Sequence, residues 1–190
     1  MKANKNNKKA AIFLASGFEE VEALTTVDLL RRVGITVDMV SISSKLEIEG
    51  GHGIQVKGNR KIKELDFEKY DALILPGGMP GTINLGENKL LMDALVKHNQ
   101  KEKLVAAICA APSLLGKLGI LNGKKACCYP GFEKELLGAN VTNHAVETDG
   151  NIITSQGVGT AIDFALAIIT TLADEERSSQ CAKNIIARFA

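Results

Sequence analysis

Apolar residues occur along this chain in two rhythms. Dense short runs, "AAIFLA" (10–15), "YDALILPGG" (70–78) and "KLVAAIC" (103–109), hold consecutive apolar positions and predict strands buried on both faces. "TVDMVSI" (36–42), rich in β-branched residues, and "NIITSQG" (151–157) predict two more, and "KKACCYP" (124–130) another that Pro130 stops. The second rhythm is helical. In "EEVEALTTVDLLRRVG" (19–34), Val21, Leu24, Val27 and either Leu29 or Leu30 recur every three or four positions, Arg31 and Arg32 suit a helix C-terminus, and Gly34 ends it. Further helices are predicted over 84–99, 111–118, 160–173 and 174–188. "LEIEGGHGIQVKG" (46–58) alternates on either side of a glycine-rich centre and predicts a hairpin.

Strands alternating with helices predict an α/β fold with a mainly parallel sheet and helices on both faces. The chain of 190 residues suits one domain over 9–190 behind a polar, basic tail at 1–8. Lys and Arg number 23 against 22 Asp and Glu, which gives no sign of a nucleic-acid or acidic membrane partner. The apolar runs are too short to span a bilayer. Without an export signal the expected location is the cytoplasm, with reduced thiols. The cysteines, Cys109, Cys127, Cys128 and Cys181, form no C-x-x-C pair, and His52, His98 and His144 do not stand beside them at zinc spacing, so no metal site is expected.

In such sheets ligands bind beyond the carboxyl ends of the strands. "SGFEEVE" (16–22), "PGGMPG" (76–81) and "CAAP" (109–112) fall at such ends. Cys109 stands where a strand turns into a helix, a corner that exposes one side chain among small neighbours. A helix N-terminus there is expected to lower the thiol pKa; the competing reading is a buried structural thiol. The N–H groups of Gly77, Gly78 and Ala110 are candidate oxyanion donors, although a glycine pair after a strand is also a plain turn. Glu19 and Glu20 suit a solvated first turn. Glu22 is either a third surface glutamate or an inward carboxyl able to hold a proton. Cys127, Cys128 and Cys181 are read as packing residues, His98 as a cation at a helix C-terminus and His144 as a surface residue.

"LASGFEEVEALTTVDLLRRVGI", "DALILPGGMPG", "LVAAICAAPSLLGKLGIL" and "GVGTAIDFALAII" resemble the ThiJ/PfpI superfamily, in its parkinsonism-associated protein deglycase branch. The resemblance runs over about 9–173. It implies a flavodoxin-like three-layer sandwich of the class I glutamine amidotransferase type and a homodimer; part of helix 19–33 is read as either core or dimer interface. It implies Cys109 as an oxidation-prone nucleophile, Glu22 as the carboxyl touching it, and Gly77, Gly78 and Ala110 as backbone donors. The implied activity is cofactor-free: conversion of methylglyoxal-type α-oxoaldehydes, and removal of early glycation adducts from proteins. The alternatives it carries are a redox sensor or chaperone acting through oxidation of Cys109, and a cysteine amidase or protease. The chain departs from the family pattern at Tyr129, where many relatives have His, and at His52 and Gln156, where Arg is usual. Tyr129 and His52 are therefore candidate pocket residues.

Overall fold

The computed structural model describes residues 8–188, so all but the last residue of the expected 1–8 tail lies outside the described part, as do residues 189–190. The strands are β1 (Lys9–Leu14), β2 (Thr36–Ser41), β3 (Glu47–Glu49), β4 (Gln55–Lys57), β5 (Arg60–Lys61), β6 (Ala72–Leu75), β7 (Leu104–Ile108), β8 (Lys125–Ala126), β9 (Asn140–Val141), β10 (Val146–Asp149) and β11 (Ile152–Ser155). The helices are α1 (Glu20–Arg32), α2 (Gly81–Glu87), α3 (Lys89–Gln100), α4 (Pro112–Lys117), α5 (Ala161–Leu172) and α6 (Glu175–Asn184). Seven strands form the main sheet in the order β10-β11-β7-β6-β1-β2-β5. All its pairs are parallel except β10 with β11.

Successive strand residues point to opposite faces, and each face has its own core. Ala10, Ile12 and Leu14 of β1, with Ala72 and Ile74 of β6, pack with Val27 and Leu30 of α1 and with Phe164 and Ile168 of α5; Cys181 of α6 closes this layer. Ala11, Phe13, Leu73 and Leu75 pack on the other face with Leu85 of α2, Leu91 and Leu95 of α3, and Leu114 and Leu115 of α4. The five interior strands are thus buried on both sides, which is why β1, β6 and β7 read as dense apolar runs, while β2 and β11 also bury Asp38, Ser41, Thr154 and Ser155.

Several expectations need correction. The helix foreseen over 84–99 is two helices: Asn88 caps α3 by accepting from the Leu91 N–H at 3.0 Å, and α2 ends there. The strand foreseen over 124–130 is only β8, which pairs with β9 outside the main sheet. Past it, the Cys127 N–H turns to the Thr154 hydroxyl (3.0 Å) and the Tyr129 N–H to the Cys109 carbonyl (2.8 Å), so the segment bends over the ends of β7 and β11. The 174–188 helix stops at Asn184. On α1 the supposed apolar stripe is turned outward at its start, with Val21 47% and Leu24 36% exposed, while Glu20, Glu22, Ala23 and Thr26 face in. His98 is buried rather than a helix-end cation, and burial pushes its pKa down to about 4, leaving it neutral at pH 7. Cys127, Cys128 and Cys181 are buried as expected, and His144 is exposed, hydrogen-bonded to Glu147.

Candidate active site at the carboxyl ends of the sheet

Beyond the carboxyl ends of β1, β6, β7 and β11 the chain forms a cleft of about 610 Å³. Glu19, Glu22, Gly78, Cys109, Ala110, Tyr129, Gln156 and Gly157 line it, together with Met79, Phe132 and Val158. The stretches singled out in the sequence therefore converge in space, from loops that leave adjacent strands.

Cys109 follows β7 directly and has φ = +65°, a left-handed conformation uncommon for a residue with a side chain. Two backbone bonds hold it there: its N–H donates to the Ser155 carbonyl at 3.0 Å, and its carbonyl accepts from the Tyr129 N–H. This pins the corner to the ends of β11 and of the β8 segment and turns the thiol, half-buried, into the cleft. Strain of this kind persists where the surroundings over-determine the backbone.

Glu22 sits in the first turn of α1 and is fully buried. Its Oε2 accepts from the Gly77 N–H at 2.8 Å, and its Oε1 is buried with no hydrogen-bond partner among the described residues. Burial raises its pKa to about 7, with the charge of Glu19 adding to the rise and the Gly77 N–H opposing it. Burial likewise pushes the Cys109 thiol up to about 12, and the Glu22 carboxylate adds to the push; the N–H groups of Gly78 and Ala110 pull the other way. The helix-dipole expectation is thus overturned: α4 is a six-residue helix beginning three residues beyond the thiol, and burial outweighs it. At neutral pH the pair carries at most one negative charge, which sits on Glu22 while the thiol keeps its proton.

The glycines are fitted closely. A Cβ on Gly77 would come within 2.5 Å of the Cys109 Cβ and 2.9 Å of Glu22 Oε2, so glycine is what lets thiol and carboxyl meet. Gly78 has φ = +89°, and a Cβ there would strike the backbone of Gly17 to Glu19. Gly78 and Ala110 remain as donors facing the sulfur, whereas the Gly77 N–H is committed to Glu22 and is not free for a substrate oxygen.

Tyr129 stands half-exposed in the cleft wall, its ring against Gly157. Gln156 also lines the cleft and donates to the Asn143 side chain at 2.9 Å. His52 does not line it. Its Nδ1 lies 2.8 Å from Glu20 Oε2 and its N–H donates to Glu20 Oε1 at 2.7 Å, which ties the β3–β4 loop to α1 and accounts for the burial of Glu20, expected to be solvated. Among the described residues Glu19, Glu20 and His52 form the one set with metal-ligand character, their ligand atoms within 4.8 Å of one another. The imidazole–carboxylate hydrogen bond accounts for that approach. The pairing of Glu20 with His52, and the commitment of Gly77 to Glu22, left no local signal in the sequence; both arise from segments far apart in the chain.

The family model described as the DJ-1/PfpI family matches residues 8–171. This chain belongs to the DJ-1/PfpI family. Protein dj-1beta of Drosophila melanogaster is 35% identical over 185 residues, 96% of this chain and 99% of that protein. Protein DJ-1 homolog B of Arabidopsis thaliana is also 35% identical over 185 residues, but the chain spans only 42% of its length. The solved structure of oxidized Toxoplasma gondii DJ-1 superposes with a TM-score of 0.91 at 33% identity, covering 94% of this chain and 98% of that one. The mainly parallel α/β sandwich described above is the DJ-1 fold. Among the described residues no helix is long and apolar enough to cross a membrane.

Proposed function

We propose that this DJ-1/PfpI protein is a cofactor-free enzyme acting on α-oxoaldehydes of the methylglyoxal type and on the early adducts they form with proteins. The observation that carries the reading is the Cys109–Glu22 pair, a half-buried thiol beside a buried carboxyl that ionises near pH 7, facing a cleft that the Gly78 and Ala110 N–H groups adjoin. Glu22, ionised above about pH 7, takes the thiol proton as sulfur attacks the aldehyde carbon. The C–S bond forms, the carbonyl electron pair moves to oxygen beside the Gly78 and Ala110 N–H groups, and Glu22 returns the proton to that oxygen to give a hemithioacetal. The carboxylate then removes the remaining C1 proton. The electron pair makes the C1–C2 double bond, the C2 carbonyl pair moves to its oxygen and the proton from C1 is placed there to give an enediol. The C1 hydroxyl then loses its proton, its electron pair forms the C1 carbonyl, and the C1–C2 pair takes the proton at C2, leaving the thioester of lactate. Water cleaves the thioester, releasing lactate and the thiol. Methylglyoxal plus water thus gives lactate with no net redox change.

The test is lactate formation from methylglyoxal without glutathione. The expected result is turnover that is lost in Cys109→Ser and that rises with pH through about 7 in the wild type. A folded wild type that forms no lactate overturns the reading. Oxidant sensing by the same thiol is the second reading. Cys109 is half-buried in an open cleft while the other three cysteines are buried, and a structural relative is described as oxidized. Peroxide is then expected to convert Cys109 to sulfinate well before Cys127, Cys128 or Cys181, as seen by peptide mass spectrometry. An amidase or protease would need a base beside the thiol, and none of the histidines lines the cleft. The exposed Val21 and Leu24 of α1, with Ile162 of the adjoining α5, support a homodimer formed through this face. The four free thiols support a reducing, cytoplasmic setting.

A further inference from the structure

The reactive cleft has a neighbour. A second hollow of about 320 Å³ opens between α2, α4 and the segment after Pro130, and it shares two wall residues, Met79 and Phe132, with the Cys109 cleft. Its remaining apolar walls are Ile83 of α2 and Leu114 of α4. Ile83 is 49% exposed and Met79 is 50% exposed, so the shared boundary and the far wall are both large apolar side chains left open to solvent. Lys117 and Glu135 pair across the rim at 3.3 Å and neutralise each other. Thr82, which also lines the hollow, has a buried hydroxyl with no hydrogen-bond partner among the described residues, a condition folded chains rarely leave uncorrected.

A three-carbon aldehyde fills only a small part of the cleft at Cys109, since pockets of several hundred Å³ suit ligands far larger. Met79 and Phe132 are common to the cleft and the hollow, so a longer substrate can pass between the two, and beyond them Ile83 and Leu114 offer apolar surface beside Thr82, Ser113 and the mutually neutralising Lys117–Glu135 pair. We propose that the side hollow is a specificity subsite for the non-reacting substituent of the substrate, and that the substituent it takes is an apolar group of aryl or branched-alkyl size carried on the carbonyl next to the aldehyde. The subsite rests on the reading of Cys109 as the attacking thiol. It makes arylglyoxals and bulky apolar adducts better substrates than methylglyoxal.

The test uses two readouts on the full chain. The first is kcat/KM for phenylglyoxal and for methylglyoxal in the wild type and in Ile83→Trp, whose indole occupies the hollow. The wild type is expected to favour phenylglyoxal, and Ile83→Trp to lower the phenylglyoxal-to-methylglyoxal ratio at least fivefold. The second is the rate at which Cys109 is alkylated by N-phenyl iodoacetamide relative to iodoacetamide, followed by mass spectrometry. This requires the thiol but no aldehyde turnover, and the same Ile83-dependent preference for the aryl reagent is expected. Aldehyde turnover with a ratio that Ile83→Trp leaves unchanged overturns the subsite and leaves the aldehyde reading standing. No turnover of either aldehyde, with an Ile83-dependent aryl preference in alkylation, overturns the aldehyde reading and retains the subsite. Alkylation without aryl preference overturns the subsite whatever the turnover. Leu114→Phe, a second way to fill the hollow, takes over the comparison should Ile83→Trp fail to fold.

Discussion

Glu22 and Asp38 are both carboxylates taken out of water, 0% and 4% exposed, and the fold treats them in opposite ways. Asp38 lies near the start of β2. Burial pushes its pKa up, but Lys9 at 2.8 Å, the Tyr70 hydroxyl at 2.7 Å and the Asn59 amide at 2.8 Å more than offset this and hold it below the usual carboxylate range. Glu22, at the other end of the strands, receives one backbone N–H, has no cation beside it, and faces both a thiol and Glu19. One carboxylate is satisfied and ionised; the other is left half-satisfied and holds its proton to about pH 7. Burial alone therefore says little about the role of an acid. The number of donors the fold supplies separates an anchor from a group that can pass a proton.

The largest effect that tests this contrast is on chemistry. Glu22→Gln is expected to lower methylglyoxal turnover by a factor of about 100 or more, the range for losing a general acid–base group, in a protein that stays folded. Asp38→Asn in the folded protein should leave turnover in place. Comparable losses in both variants would dissolve the distinction. Next comes stability: Asp38→Asn should cost about 2 kcal/mol in denaturant melts, because hydrogen bonds to a charged acceptor are weakened and Lys9 loses its partner. Glu22→Gln should cost little or even stabilise. The two acids also tilt stability against pH in opposite senses. Between about 4.5 and 7 the folded chain keeps on Glu22 a proton that the unfolded chain has released, so stability falls as pH rises, by at most about 1.4 kcal/mol per pH unit. Glu22→Gln should flatten that slope. Asp38 binds its proton less readily when folded, so its contribution is present above pH 3.8 and is lost as pH falls through its depressed folded value. Asp38→Asn should remove that acid-side loss and leave the neutral slope alone. The smallest effect is expected from Tyr70→Phe, which takes one donor from Asp38 and should cost about 1 kcal/mol while moving the acid-side loss to higher pH.

The interior of the fold was legible because β1, β2, β6, β7 and β11 are buried on both faces and leave no doubt about their rhythm. The edges were not. β5 has two residues and β10 alternates only weakly, so neither carries enough pattern to be seen alone. α1 misled for a chemical reason: the inward positions that apolar residues would take at its start hold Glu20 and Glu22, so the exposed Val21 and Leu24 made the stripe. The site was legible as a set of strand ends, and the structure brings Cys109, Glu22, Gly77, Gly78, Ala110 and Tyr129 together there. Their electrostatics were not, since the upward shift of the thiol depends on burial created by distant segments. His52 was misplaced for the same reason: Glu20, 32 positions away, claims it.

The left-handed backbone at Cys109 has a consequence for anyone reshaping this protein. Glycine reaches that conformation without hindrance, so Cys109→Gly should raise the melting temperature even as it removes the nucleophile. A library screened for heat resistance alone would drift towards glycine or asparagine at this corner and discard the chemistry without any warning in expression or solubility. Thermal selection on this scaffold has to be paired with a thiol-reactivity screen, because here the residue most comfortable in the fold and the residue that reacts are different ones.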